Sequence, residues 1–307
     1  MPKPYPMFGF RPDGKKVKDI DPIQRIIPHI MPTRNDAQNM TEYDCPCEPL
    51  DAFIIQQSDK GTEYTYMHLI IAAMVRVYAR FPRLNRFIMN GRIYRHNEIQ
   101  VSFVVKKGMS PNAPDALVKL SFTGLETVEE VRQKIDEAIE ANNNLEANNG
   151  TDKIARLLTL TPNFLIKWSV GLIKFMDKHS ILPNAIIKLS PFHTSLFLTN
   201  MKSIKGPAIF HHLYNFGTTG IFMAMGKETE VPVVNDNGEI VVGKRMPVQI
   251  VTDERFCDGF YFVSAMKYWE RLLKKPAQML EPLEMLAEDT HVIFGRKVRE
   301  MAQQKQA

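Results

Sequence analysis

Residues 252–259 read TDERFCDG. Three of these side chains are able to do chemistry. Glu254 and Asp258 are carboxylates, able to accept a proton or to hold a positive charge. Cys257 is a thiol that, as thiolate, would attack an acyl group and form a covalent intermediate. Its neighbour Arg255 is the cation that would lower its pKa. The Asp258-Gly259 pair closes the run. Upstream, MPVQIVT (246–252) alternates apolar and polar residues as a half-buried strand does. Downstream, FYFVSAMKYWERLLKK (260–275) has the period of an amphipathic helix. A strand thus delivers a polar loop to the start of a helix, a place where rigid scaffolds carry catalytic groups.

The elements that must position this loop are visible in the rest of the chain. YTYMHLIIAAMVRVYARFP (64–82) is a strongly apolar helix that stops at Pro82. Asn90-Gly91 marks a hairpin turn inside RLNRFIMNGRIYRHNEIQVSFVVKKG, with strands on either side. DALVKLSFTG (115–124) is a strand. Residues 127–143 form a helix with Thr127 as N-cap and Glu130 three residues on, a capping box. TSLFLTN (194–200) is a strand, and two further strands flank NDNG, a second hairpin turn. The first twenty residues are expected to run extended along the surface or onto a neighbour. Strands, helices and strands in this order predict a mixed sheet with helices laid on it.

Composition removes several function classes. At 307 residues, 44% hydrophobic and 24% charged, the chain is an ordinary globular one, large enough for one big domain or two modest ones. A net charge of +5, with Lys and Arg scattered, argues against nucleic acid as a partner. The N-terminus shows no signal-peptide pattern, and three cysteines suit a reducing compartment, so a cytoplasmic location is expected. Cys45 and Cys47 offer two thiolates, but no second Cys/His cluster completes a metal site, and no metal is expected. There is no glycine-rich phosphate loop, no Gly-x-Ser-x-Gly elbow and no His-Glu-x-x-His helix.

The order of these pieces resembles the catalytic domain of the acyltransferase component of 2-oxoacid dehydrogenase complexes, which shares its fold with chloramphenicol acetyltransferase. The resemblance is clearest over 193–275, in HTSLFLTNMKSIKG, IFMAMGKETEVPVVNDNGEIVVGKRMPVQIVTDERFCDG and the closing helix. It extends to FPRLNRFIMNGRIYRHNEIQVSFVV (81–105) and, more weakly, to 26–43, covering roughly two-thirds of the chain. It implies an α/β two-layer sandwich, a mixed β-sheet with helices on one face. Residues 21–307 would form a single catalytic-like domain after an extended segment 1–20, with a helical insertion at about 153–189.

The family's signature is His-x-x-x-Asp-Gly. Here Asp258 and Gly259 fit, but Glu254 stands where the histidine belongs. By resemblance, that position is the general base, taking a proton from the acceptor of an acyl group carried by coenzyme A. An imidazole suits the task because its pKa lies near the operating pH. A carboxylate with a pKa of about 4.3 facing a thiol at about 8.5 makes the transfer uphill by about four units, roughly 5–6 kcal/mol. Glu254 is therefore a base only where burial in an apolar tunnel raises it. The resemblance also gives Thr199 as oxyanion donor and Asp258 with Arg34 as a brace of the active-site loop; His193 and Asn200 are further candidates for lining the site. His193 faces the same side as Thr199 if the strand is regular over those six residues. His211 and His212 are further stand-ins for the missing imidazole. Cys257 is read as packing.

Two functional readings follow. In the first, the chain is a stand-alone acyltransferase moving an acyl group between coenzyme A and a thiol, hydroxyl or amine. It lacks room for a lipoyl-bearing domain, so no covalently bound lipoyl group is expected. In the second, it is an inactive relative that binds a ligand or serves as a scaffold. Either way the resemblance implies a homotrimer with sites between subunits. In 153–189, Phe164, Leu165, Trp168, Leu172, Phe175 and Met176 share one helical face, and Lys167, Lys174 and Lys178 fall on the other. Packing on the same domain or an adjacent subunit is the preferred reading of this segment; contact with a membrane surface is a second and a membrane span a third.

Overall fold

The computed structural model describes residues 11–18, 20–106, 115–144, 161–235 and 237–289. Its centre is a seven-stranded mixed sheet. The strands are β2 (Gln38–Pro46), β5 (Ile99–Lys106), β6 (Asp115–Phe122), β7 (Leu196–Asn200), β8 (Ile221–Met225), β9 (Thr229–Val234) and β10 (Ile240–Asp253). They run in the order β2-β10-β8-β7-β5-β6, and β9 pairs with the first half of β10. β7 lies parallel to β5 and β8; the other pairs are antiparallel.

Helices cover one face of this sheet. Helix α3 (Tyr66–Arg80) starts at Thr65, whose side chain accepts from the His68 backbone N–H, and ends just before Pro82. Every residue of α3 except Arg80 is buried, as its unbroken apolar run requires. Helices α4 (Val128–Asn144) and α7 (Gly259–Lys274) pack against it, and α2 (Glu48–Ser58) packs against α7. Val101, Phe103, Leu196, Leu198, Met223, Val248 and Ile250 meet these helices in one core. The intervening residues Phe197, Phe222 and Val251 point to the opposite face, where Leu213 of the 206–217 segment covers them. The two-layer sandwich with a mixed sheet is thus present.

Local signals placed several elements correctly. Asn90 and Gly91 take positive φ (51° and 69°) and join β3 (Arg86–Met89) to β4 (Arg92–His96). Thr127 and Glu130 cap α4 reciprocally, each accepting from the other's backbone N–H at 3.2 and 2.7 Å. Two expectations change. Residues 11–18 do not trail along the surface: β1 (Gly14–Lys16) pairs with β4 to make a three-stranded sheet. The stretch before NDNG is two strands rather than one, broken at Gly226. A Cβ there would lie 2.5 Å from the Ala208 backbone nitrogen, so only glycine permits the close crossing that ends β8.

Of the insertion, residues 153–160 lie outside the described residues. The remainder forms α5 (Asn163–Lys178) and α6 (Asn184–Leu189). α5 leans on the body through Ile166, Ser169, Ile173, Met176 and the buried Asp177. Phe164, Trp168 and Phe175 face outward, with Trp168 66% exposed, so among the described residues nothing packs on most of the apolar stripe. No helix among the described residues is long and apolar enough to cross a membrane.

β4 ends on a buried histidine. His96 Nδ1 lies 3.2 Å from the Asn85 carbonyl and Nε2 lies 2.9 Å from Thr218 Oγ1. Burial pushes its pKa from 6.5 down to about 3, although Asp13 opposes the shift. The folded chain therefore holds this imidazole neutral, while the unfolded chain protonates it below pH 6.5. The stability it contributes is complete above pH 6.5 and is lost as the pH falls towards 3. Urea titrations across that window are expected to show the folding equilibrium weakening by up to about tenfold per pH unit. His96→Gln should flatten that part of the slope.

Candidate active site

The last residues of β10 turn the chain into the loop singled out in the sequence. The Asp253 N–H donates to the Gly220 carbonyl at 3.0 Å and the Glu254 N–H to the Ala37 carbonyl at 2.9 Å. The Glu254 side chain then leaves the sheet. Its carboxylate is exposed in the single chain, and Oε2 accepts from Asn39 Nδ2 at 2.8 Å. Asp258 is the N-cap of α7: Oδ1 accepts from the Tyr261 N–H at 2.9 Å.

Glu254 and Asp258 border a cavity of about 260 Å³. Ile27 and Met31, at the end of helix α1 (Pro22–Ile30), and Cys257 and Phe262 provide its apolar wall. Asn39 and Thr252 are its other polar residues. Thr252 is buried, and its Oγ1 has no hydrogen-bond partner. Sequence reasoning passed over Thr252 as an ordinary strand residue. The signal was its place two residues before Glu254, at the mouth end of the strand. Burial pushes the Cys257 thiol up to about 12, with Asp258 adding to the shift. Its thiolate is then scarce at neutral pH, and Cys257 is wall rather than nucleophile.

The expected brace needs correction. Arg34 does not meet Asp258. Its Nε lies 3.9 Å from Asp253 Oδ2, and its other nitrogens donate to the carbonyls of Tyr214 (2.9 Å), Gly217 (2.6 Å) and Ile88 (3.3 Å). Arg255 grips Asp253 with both arms, Nε to Oδ1 at 2.8 Å and Nη2 to Oδ2 at 2.7 Å. A third donor, Arg255 Nη1, reaches the Met31 carbonyl at 2.9 Å and so ties the loop to the end of α1. Asp253 points inward from the strand end, whereas Asp258 faces solvent at the helix start. The buried partner is therefore Asp253.

The remaining candidates lie elsewhere. β7 begins at Leu196, so the alternation that would align His193 with Thr199 does not reach His193. His193 Nε2 sits 3.2 Å from Asp177 Oδ2, and Nδ1 2.7 Å from Ser190 Oγ. Asp177 also takes Arg11 Nη2 at 2.8 Å, so His193 belongs to a buried charge cluster that fastens α5. Asn200 caps a short turn, accepting from the Ser203 N–H at 3.2 Å. The His211 ring stacks on Phe222 with centroids 4.3 Å apart, and burial lowers its pKa. Thr199 is half-buried on the sheet face away from the helices. The register places it opposite Ala224, and Ala224 opposite Gln249, five residues short of Glu254. At the strand rise of about 3.3 Å per residue, that is roughly 16 Å along the sheet. One chain does not bring Thr199 and Glu254 together.

Comparisons with known proteins agree with this architecture. Residues 199–281 match the sequence model of the family described as 2-oxoacid dehydrogenases acyltransferase (catalytic domain). A probable dihydrolipoamide acetyltransferase from Listeria monocytogenes 4b F2365 superposes with a TM-score of 0.55 at 12% identity, covering 91% of this chain and 98% of the other. A chloramphenicol acetyltransferase gives a TM-score of 0.54 at 12% identity, covering 84% and 99%. The fold is chloramphenicol acetyltransferase-like. The dihydrolipoamide acetyltransferase of Azotobacter vinelandii is similar at a TM-score of 0.54 and 14% identity, over 86% of this chain and 94% of that one. In that protein a serine, a histidine and an asparagine have been investigated for their role in the catalytic mechanism. Among curated proteins, none matches the chain. The matched segment runs from Thr199 through the 254–258 loop and past the end of α7, and so contains both Thr199 and Glu254.

Proposed function

We propose that this chain is a stand-alone acyltransferase that moves an acyl group between coenzyme A and a small acceptor, with Glu254 as proton acceptor. The observation that carries the reading is the placement of Glu254. It stands at the end of β10, over an apolar-walled cavity with an unpartnered hydroxyl, four residues before the cap of α7. In the Azotobacter vinelandii protein the investigated histidine and asparagine are likewise four residues apart, with the serine earlier in the chain. Glu254 and Asp258 have that spacing here, and Thr199 has the serine's place in the order. Thr199 is the oxyanion donor in this reading, and Asp253 with Arg34 and Arg255 holds the loop.

The distance between Thr199 and Glu254 demands a second copy. We assign the site to the junction of subunits in a homotrimer, where Glu254 of one copy meets Thr199 of the next. On α1 and at the start of α7, the helices that supply cavity lining, Ile23, Ile26, Ile30 and Phe260 are exposed, with Phe260 at 86%, apolar surface suited to a neighbouring copy. The bare stripe of α5 is a second surface for such contact. The covering copy would also dry the Glu254 carboxylate, which a base of this type needs. The exposure of Glu254 in the single chain supports the other reading, a trimeric relative that binds a ligand without turnover.

Subunit mixing tests this function. Glu254→Gln and Thr199→Val proteins, each assayed alone with acetyl-coenzyme A and a panel of acceptors, should release almost no free coenzyme A. Unfolded and refolded together, they should regain about a quarter of the wild-type rate, the share of junctions in a closed ring that pair the two intact residues. No recovery, from a mixture shown to contain hetero-oligomers, would remove the shared site. An inactive wild type that still binds coenzyme A would favour the ligand-binding relative.

A further inference from the structure

We infer that the acceptor is a primary amine, held as its ammonium ion by Glu254 in the cavity beneath the 254–258 loop. The inference rests on the acyl-transfer reading and names the substrate class of that site.

Three features of the cavity point to a cation bearing a small apolar group. The first is charge. Glu254 and Asp258 both border the cavity, and among the described residues no Lys, Arg or His lines it. The nearest guanidinium in sequence, Arg255, is turned inward onto Asp253. Asp258 already faces the positive end of α7 as its N-cap. Among the described residues that leaves the Glu254 carboxylate, with one amide donor from Asn39, without an ion-pair partner. The second feature is Thr252. Its hydroxyl is 3% exposed as a residue, has no partner and lines the same cavity. A hydroxyl can accept one of the three N–H bonds of an ammonium while the carboxylate accepts another. The third is the wall of Ile27, Met31 and Phe262, which suits a hydrocarbon stem.

The chemistry favours the same class. A thiol or an alcohol must give up its proton to become a good nucleophile, and a carboxylate is too weak a base to take it readily. An amine attacks with its lone pair once its ammonium form has lost a proton to solvent, and it needs a base at the reacting atom only after the C–N bond has formed. The bound ammonium releases one proton to water. The neutral nitrogen then forms the C–N bond at the thioester carbonyl, and the C=O electron pair moves onto oxygen. The nitrogen of this adduct carries a positive charge and a readily lost proton, which Glu254 accepts. As the carbonyl re-forms, the C–S bond breaks, and its electron pair leaves on the coenzyme A sulfur. The sulfur takes up a proton, directly from Glu254 or through solvent, and an amide and free coenzyme A remain. For that late and strongly acidic proton of the adduct a carboxylate is an adequate base.

The test pairs a binding and a turnover measurement on the whole protein. Ligand-observed NMR titrations with n-butylamine at pH 7.5 and with 1-butanol compare a cation with its neutral counterpart. Butylammonium should bind roughly two- to fivefold tighter, the range of an exposed ion pair. The preference should vanish in Glu254→Gln, and Thr252→Val should weaken butylammonium several-fold. Acetyl-coenzyme A turnover should then be faster with butylamine than with butanethiol or 1-butanol. Equal or tighter binding of butanol, or faster acetylation of the thiol, overturns the amine; in the second case acyl transfer itself stands. Butylammonium held by Glu254 with no acetylation of any acceptor leaves the cation site in place, and the acyl-transfer reading fails.

Discussion

Glu254→Gln should lower kcat/KM for acyl transfer by about 10²–10⁴-fold, the usual contribution of a positioned acid–base group. The substitution is nearly isosteric and removes only the basic oxygen. Asn39 Nδ2 still finds an acceptor in the glutamine carbonyl, so the loop keeps its contact with β2. Because the side chain is exposed in the chain, stability should change by no more than about 0.5 kcal/mol. The fall should appear in kcat more than in the KM for coenzyme A, since Glu254 is assigned to the reacting proton. Urea midpoints of the two proteins provide the control. Glu254→His restores the imidazole of the family signature and is expected to open thiol acetylation, with a pH profile rising through about 6.5. Full activity in the glutamine protein would show that the proton goes elsewhere.

Much of this molecule could be read before it was seen, and the reasons are local. The turn at Asn90-Gly91 needs positive φ, and only a few residue types supply it. The Thr127 and Glu130 cap is a contact between residues three apart, so spacing reveals it. The loop after β10 was found by a change of period, from two to 3.6, across eight residues. What stayed hidden depends on distant parts of the chain. The Arg34 partner is set by where β10 ends and how the 206–217 segment crosses the sheet, and neither leaves a local trace. His193 takes its role from Asp177 and Arg11, sixteen and 182 positions away in the sequence. The end of β8 at Gly226 reflects the backbone of Ala208 passing alongside. The position of α5 was legible as a helix, but which of its faces would be covered was not. Amphipathic spacing reports that a stripe exists and is silent on what covers it.

The second large effect is expected at Asp253, which neighbours Glu254 and does different work. Asp253 is fully buried between Arg34 and Arg255, two guanidinium groups that are themselves 5% and 3% exposed. One carboxylate thus serves two buried cations. Burial holds Arg34 down to about 10, with the Asp253 charge acting against that shift and the Arg255 charge adding to it. Asp253→Ala would take from both cations their nearest counter-charge, with carbonyls as the remaining acceptors of their side chains among the described residues, and should cost about 3–5 kcal/mol of stability. For a chain of this length the cost corresponds to a fall in Tm of roughly 5–8 °C. A second substitution should give part of it back. In Asp253→Ala with Arg255→Met, one cation is removed along with the carboxylate, so the pair should be less damaging than the two single costs added. If Asp253→Ala melted within a degree of the wild type, the buried triad would not be what fastens the loop. The two neighbours should therefore separate cleanly: Glu254 governs turnover at unchanged stability, and Asp253 governs stability first. The activity lost at Asp253 should be recoverable in part by lowering the temperature, because the loop is loosened and no reacting group has been taken away.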